Sequence, residues 1–153
     1  TNEHTGNRDY FGQDNVNSAR SHPIRKALQR IAEVRKGSVA LQRGLQVNGR
    51  FGDDTAEFFR VYEKDGVAQT ALVLLNKSDE PVEFVVDKFV SAGVWRDTLA
   101  GDVIEVSASR PVLTATVGAH GVRVFFYDKP VTNEALLNKL DALQVNSHRK
   151  NPE

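Results

Sequence analysis

The chain has 153 residues, 40% hydrophobic and 26% charged, with 20 Lys and Arg balancing 20 Asp and Glu. That is enough for one compact domain with a real core and too little for a (β/α)8 barrel, which needs roughly 250 residues. The balanced charge gives no basic footprint for nucleic acid, no apolar run approaches the roughly 20 residues of a membrane helix, and the absence of Cys excludes disulfides, a catalytic thiolate and cysteine zinc sites.

The chain opens on Thr1-Asn2-Glu3-His4 and contains no Met, so it is expected to be a fragment. Residues 1–21 are polar, with only Tyr10, Phe11 and Val16 as possible anchors, and are expected to form a long loop. A helix is expected over 22–36. Pro23 suits its first turn, Ile24, Ala27, Leu28, Ile31 and Val34 form one apolar stripe, and Gly37 is placed to stop it.

From Leu45 to Tyr127 the pattern changes to short β-branched and aromatic runs. Strands are expected at 58–63, 70–75, 82–86, 103–106, 112–117 and 122–127, with a further one at 94–97. Lys64-Asp65-Gly66 is a tight hairpin signal, because Asp-Gly tolerates positive φ. Asn48-Gly49, Gly101-Asp102 and His120-Gly121 read as further turns. Six to eight short strands at this spacing predict a mainly β fold, an antiparallel Greek-key β-sandwich. A second helix is expected over 132–145, with Thr132 or Asn133 as N-cap and Leu136, Leu137, Leu140 and Leu143 along it. A polar tail, 146–153, follows.

Little chemistry is concentrated in one place. His4, His22, His120 and His148 are far apart and make no metal motif. The acidic pairs Asp53-Asp54 and Asp9/Asp14 can hold calcium only weakly and read better as solvated loop acids. Asn76-Lys77-Ser78 satisfies the N-glycosylation pattern. Tyr10, Phe11 and Trp95 have faces on which a sugar ring can stack, but Trp95 fits core packing better. No catalytic, cofactor or metal site is expected.

Several segments, in order, resemble one family. Residues 31–44 are similar to the pattern I-x-x-L-R-K-x-x-P-A-L-x-x-G, at the junction after the last barrel helix of α-amylase-family glycoside hydrolases. Ile31, Arg35, Lys36, Ala40, Leu41 and Gly44 match; Val34 replaces Leu and Val39 replaces Pro. Residues 59–66 resemble the hairpin that follows in that family, 71–78 the strand ending in Asn-Lys-Ser, 93–101 the pattern G-x-W-x-D-x-L-x-G, and 117–127 the closing strand. The closest flavour is that of bacterial α-amylases, cyclodextrin glycosyltransferases and cyclomaltodextrinases.

This resemblance implies a division into 1–44, a loop and last helix left from a barrel; 45–131, the sandwich called domain C; and 132–153, a C-terminal helix and tail. It implies an accessory domain of an enzyme acting on α-glucans (starch, maltodextrin or cyclodextrin), with the catalytic carboxylates on barrel strands upstream. The partner implied is the parent catalytic barrel, with an α-glucan oligosaccharide as possible ligand, Ca2+ in the parent, and a secreted or periplasmic location. The family's Asp-Pro-x-Asn-Arg loop points to Asn7 and Arg8 as sugar contacts, with His4 standing for the Asp and Thr5 for the Pro. The apolar face of helix 22–36, formerly against the barrel, is expected to dock on the sandwich or to form a dimer. The alternatives are a free-standing carbohydrate-binding module and an immunoglobulin-like interaction domain.

Overall fold

A computed structural model describes residues 14, 17, 18 and 23–150. The chain divides into two compact units, Thr1–Gly37 and Ser38–Glu153. The first contains helix α1, Pro23–Lys36, with Arg35 and Lys36 in its last turn against the negative end of the helix dipole. Gly37 N–H bonds the Glu33 carbonyl at 3.1 Å and closes it.

The second unit starts at Ser38. Ser38 is the N-cap of a short helix, α2 (Val39–Arg43), and its hydroxyl accepts from Leu41 N–H at 3.1 Å. The same hydroxyl donates to Gln69 at 2.7 Å, which ties the helix to the sandwich. Among the described residues eight strands follow: β1 Leu45–Phe51, β2 Thr55–Lys64, β3 Val67–Asn76, β4 Val82–Val86, β5 Gly93–Asp97, β6 Val103–Val106, β7 Leu113–Val117 and β8 Gly121–Tyr127. They form a six-stranded sheet in the order β1-β2-β3-β8-β5-β6 and a two-stranded sheet, β4-β7, with every pairing antiparallel. The chain leaves the large sheet for β4 and again for β7, and returns to place β8 between β3 and β5. This is the expected Greek-key sandwich.

The hairpin between β2 and β3 turns at Asp65 (φ 54°) and Gly66 (φ 78°), as the Asp-Gly signal predicts. β1 was hidden in the sequence by Asn48-Gly49, which marks a β-bulge and not a turn. Asn48 pairs with Phe58 and Phe51 with Ala56, so Gly49 and Arg50 together oppose Glu57.

Cross-strand pairing lines up the core in rows. Val47, Phe59, Leu72, Phe125 and Asp97 stand opposite one another across five strands, from β1 to β5. Phe84 and Val86 of β4 and Leu113, Ala115 and Val117 of β7 belong to the same apolar cluster. Two strands cannot cover six, and the C-terminal helix covers more of this face. That helix, α3, runs Glu134–Lys150, beyond the expected end at 145. Asn133 is its N-cap, accepting from Leu136 N–H at 3.0 Å. Leu136 and Leu140 enter the core, while Leu137 and Leu143 stay exposed. Docking of this helix within the chain is therefore built into the fold.

The bulge carries a buried acid. Glu57 is 4% exposed. A Cβ on Gly49 would stand 2.6 Å from its Cγ and Oε1, so only glycine leaves the acid room. Burial pushes the Glu57 carboxyl above its ordinary value; the Arg50 N–H hydrogen bond and the Arg50 charge oppose this without cancelling it. A carboxyl whose folded pKa is raised stabilises the fold fully below its unfolded pKa, and that contribution is lost as pH rises through the folded value. Glu57→Gln is therefore expected to flatten the decline in stability from about pH 4 towards neutrality. Urea unfolding of both proteins at pH 4.5 and 7.5 checks this, and an unchanged pH slope would refute it.

Candidate functional site

Three side-chain groups on the sandwich bear on function. The first surrounds Trp95. Its position on β5 places it on the core face, where it is fully buried. It stacks on Tyr127 with ring centroids 5.2 Å apart, and its Nε1–H donates to the Ser91 carbonyl at 2.9 Å. Tyr127 donates to the Ala92 carbonyl at 3.1 Å. With both polar atoms satisfied inside the protein, the indole has no free face for a sugar ring. Asn7 and Arg8 lie outside the described residues.

The second group is charged. Asp97 is 2% exposed on β5. Its Oδ2 accepts from Arg123 Nε at 2.7 Å, and its Oδ1 accepts from Leu99 and Ala100 N–H at 2.8 and 3.0 Å. Arg123 also pairs with Asp102 and donates to the Thr116 carbonyl at 3.3 Å. Its guanidinium lies 4.8 Å from the centroid of Phe125. Asp97 and Glu57 are the buried carboxyl groups among the described residues. In the sheet order they are three inter-strand steps apart, roughly 14 Å at about 4.8 Å per step. A glycosidase pair needs about 5–9.5 Å, so these two cannot form one.

The third is a polar chain at the start of the unit. Gln69 accepts from the Ser38 hydroxyl and from Ala40 N–H and donates to Asp128 at 2.9 Å, and Arg96 pairs with the other oxygen of Asp128. Burial pulls the Asp128 carboxyl upward, but hydrogen bonds from Gln69 and Arg96 and the Arg96 charge outweigh it and hold it below its ordinary value.

The Asn76 motif is also absorbed by the fold. Asn76 is 2% exposed, and its amide donates to the carbonyls of Glu80, Val117 and Gly118 at 2.8, 3.2 and 3.1 Å. Its Oδ1 accepts from Ser78 N–H and Oγ. An amide so engaged is not open to glycosylation. Among the acids, Asp54 pairs with Lys77 at 3.5 Å and Asp79 with His120 at 2.7 Å.

Sequence periodicity gave less warning of the opposite face of the large sheet. An antiparallel sheet with one wet face alternates apolar with polar. β3 does not: Ala71 and Val73 point away from Leu72 and Leu74, and all four are buried. Val124 and Phe126 of β8 continue that outer face and are buried too. Around them Phe51, Leu75, Val94 and Val103 carry it further, and these four are 59%, 39%, 46% and 65% exposed. The outer face is mixed: these apolar side chains share it with Arg60, Arg96 and Glu105.

The sequence itself matches no protein-family model and no curated protein. The structure matches parts of solved enzymes. An Anoxybacillus α-amylase aligns over 69% of this chain and 22% of its own, at 20% identity and a TM-score of 0.57. AmyP in complex with maltose aligns over 71% and 21%, at 14% identity and 0.56. A cyclomaltodextrin glucanotransferase with a three-domain ABC distribution aligns over 72% and 23%, at 21% identity and 0.53.

The chain has the fold of one part of these amylase-type structures. It spans about a fifth of the length of these amylase-type structures. Their similarity extends over most of the present chain, as the ordered motifs between Ile31 and Tyr127 lead one to expect.

Proposed function

We propose that the chain is the non-catalytic C-terminal portion of an α-amylase-type enzyme acting on α-glucans, and that its sandwich packs against the catalytic barrel of that enzyme. The observation that carries this is the outer face of the large sheet, where Phe51, Leu75, Val94 and Val103 stand exposed around the buried Ala71, Val73, Val124 and Phe126, with Arg60 and Arg96 among them. A sheet of this kind is built to be covered twice. The size of the match, about a fifth of each related enzyme, leaves a large body to do the covering. The exposed Ile31 of α1 belongs to the same reading, which expects helix 22–36 in the separated chain to dock on the sandwich or to form a dimer. Asn7 and Arg8 stay the proposed sugar contacts of the preceding loop. The burial of Trp95 favours this reading over a free-standing binding module that would use that ring.

The test starts from the natural gene product that contains Thr1–Glu153. A barrel with its catalytic carboxylates is expected upstream. In that whole enzyme Leu75→Glu and Val103→Glu should lower the melting temperature while leaving that of the separate chain unchanged, since both side chains are exposed there. A gene product without a barrel overturns the proposal and favours the binding module.

A further inference from the structure

The outer face of the large sheet holds a guanidinium that the fold leaves without a counter-ion. Phe59 and Val61 of β2 enter the core, so alternation puts Phe58, Arg60 and Tyr62 on the opposite, outer face. Pairing places Arg60 between Gln46 of β1 and Ala71 of β3. Its Nε is buried with no hydrogen-bond partner, and its Nη1 reaches Gln46 Oε1 only at 3.5 Å. Among the described residues it forms no ion pair. Arg96 stands in the same cross-strand row, beyond Ala71 and Phe126, and differs in having Asp128 as its partner.

The other charges of this face cannot neutralise Arg60. Among the described residues its strands carry the cations Arg60, Lys64 and Arg96 against one acid, Glu105. Asp128, just past β8, has one oxygen engaged by Gln69 and the other by Arg96. Glu105 on β6 is four inter-strand steps from β2 in the sheet order, roughly 19 Å at about 4.8 Å per step. Arg60 is half-buried and keeps part of its surface in solvent. A body laid on the exposed Phe51, Leu75, Val94 and Val103 takes that solvent away. A purely apolar cover would then enclose an unpaired cation, which costs more than breaking an exposed pair. A carboxylate answers both charge and shape, because the planar fork can donate two parallel hydrogen bonds to it. The short helix α2 is seated at one end of the same face, held by Gln69 through Ser38 and Ala40, so the chain enters the unit beside it.

We propose that the body covering this face presents an Asp or Glu carboxylate to Arg60, forming an ion pair enclosed by apolar contacts. The choice of the catalytic barrel as that body rests on the proposed function above. The test compares melting temperatures of the whole enzyme and of the separate chain, each carrying Arg60→Met, Arg60→Lys, Arg60→Gln or Leu75→Glu. Arg60→Met should lower that of the whole enzyme by at least about 3 °C, because a carboxylate is stranded. In the separate chain it should change nothing or stabilise, since it removes the buried, unpartnered Nε. Arg60→Lys, which keeps the charge, should recover much of the fall, and Arg60→Gln little. An equal fall in the separate chain would give Arg60 a role inside the sandwich and overturn the proposal. Equal recovery by Arg60→Gln would mean a neutral acceptor and overturn the carboxylate. A whole enzyme that loses stability with Leu75→Glu but not with Arg60→Met overturns the ion pair and leaves the packing on the barrel standing. No loss with either, or a gene product with no barrel, overturns both.

Discussion

Asp97→Ala is expected to destabilise the sandwich by about 3–5 kcal/mol, the usual cost of removing one partner from a buried ion pair. Three losses coincide. Arg123, only 17% exposed at its side chain, keeps Asp102 but loses its inner carboxylate. The turn after β5 loses the acceptor for Leu99 and Ala100 N–H. A cavity opens beside Phe125, which pairs with Asp97 across the sheet. For a domain of this size the melting temperature should fall on the order of 10–25 °C, which thermal circular dichroism reads directly. Asp97→Asn keeps an acceptor for the turn and should lose less. Adding Arg123→Leu to Asp97→Ala should recover part of the loss, because the stranded charge goes with it. A loss below about 1 kcal/mol in Asp97→Ala would show that the pair is not buried as described.

Trp95→Ala should be comparably damaging, at about 3–5 kcal/mol. The indole is fully buried, and its removal also leaves the Ser91 carbonyl without its donor and Tyr127 without its stacking partner. Trp95→Phe keeps most of the apolar volume and should cost clearly less, mainly through the unpaired carbonyl. Trp95 is the single tryptophan, so its fluorescence reports one environment. Blue-shifted emission resistant to acrylamide is expected in the native protein. Red-shifted, readily quenched emission would place the ring at the surface and revive it as a sugar platform.

Much of this fold was legible because local chemistry and tertiary context agree. β4 and β6 have the expected ends, and β8 begins only one residue earlier than expected. Asp65-Gly66 makes the turn its φ preference demands. Legibility failed where one signal has two structural meanings. Asn48-Gly49 breaks the strand pattern whether the chain turns or bulges, and only the partner acid, Glu57, decides between them. α2 is five residues long, too short for a helical period to show, and it exists because Ser38 caps it and Gln69 holds it. Trp95 and Asn76 fell in candidate-site patterns, yet each is held by near neighbours in sequence together with distant groups, Tyr127 for Trp95 and the Val117 and Gly118 carbonyls for Asn76. The isolation of Arg60 was invisible, since only the sheet order shows which acids share its face.

The placement of β8 has a consequence for how the chain comes to be made. β1, β2 and β3 can zip as successive hairpins soon after synthesis, and β5 with β6 likewise. Neither half can join the other until residues 121–127 arrive, because β8 is the strand that pairs with both β3 and β5. Loop closure between β3 and β8 spans about a third of the chain, which makes the joining step slow relative to the hairpins. Until then β3 and β5 each present an open edge that another chain can occupy. The interval between the emergence of β5 and that of β8 is thus the window in which this protein is most exposed to mispairing, and quick completion of its last strand is what closes it.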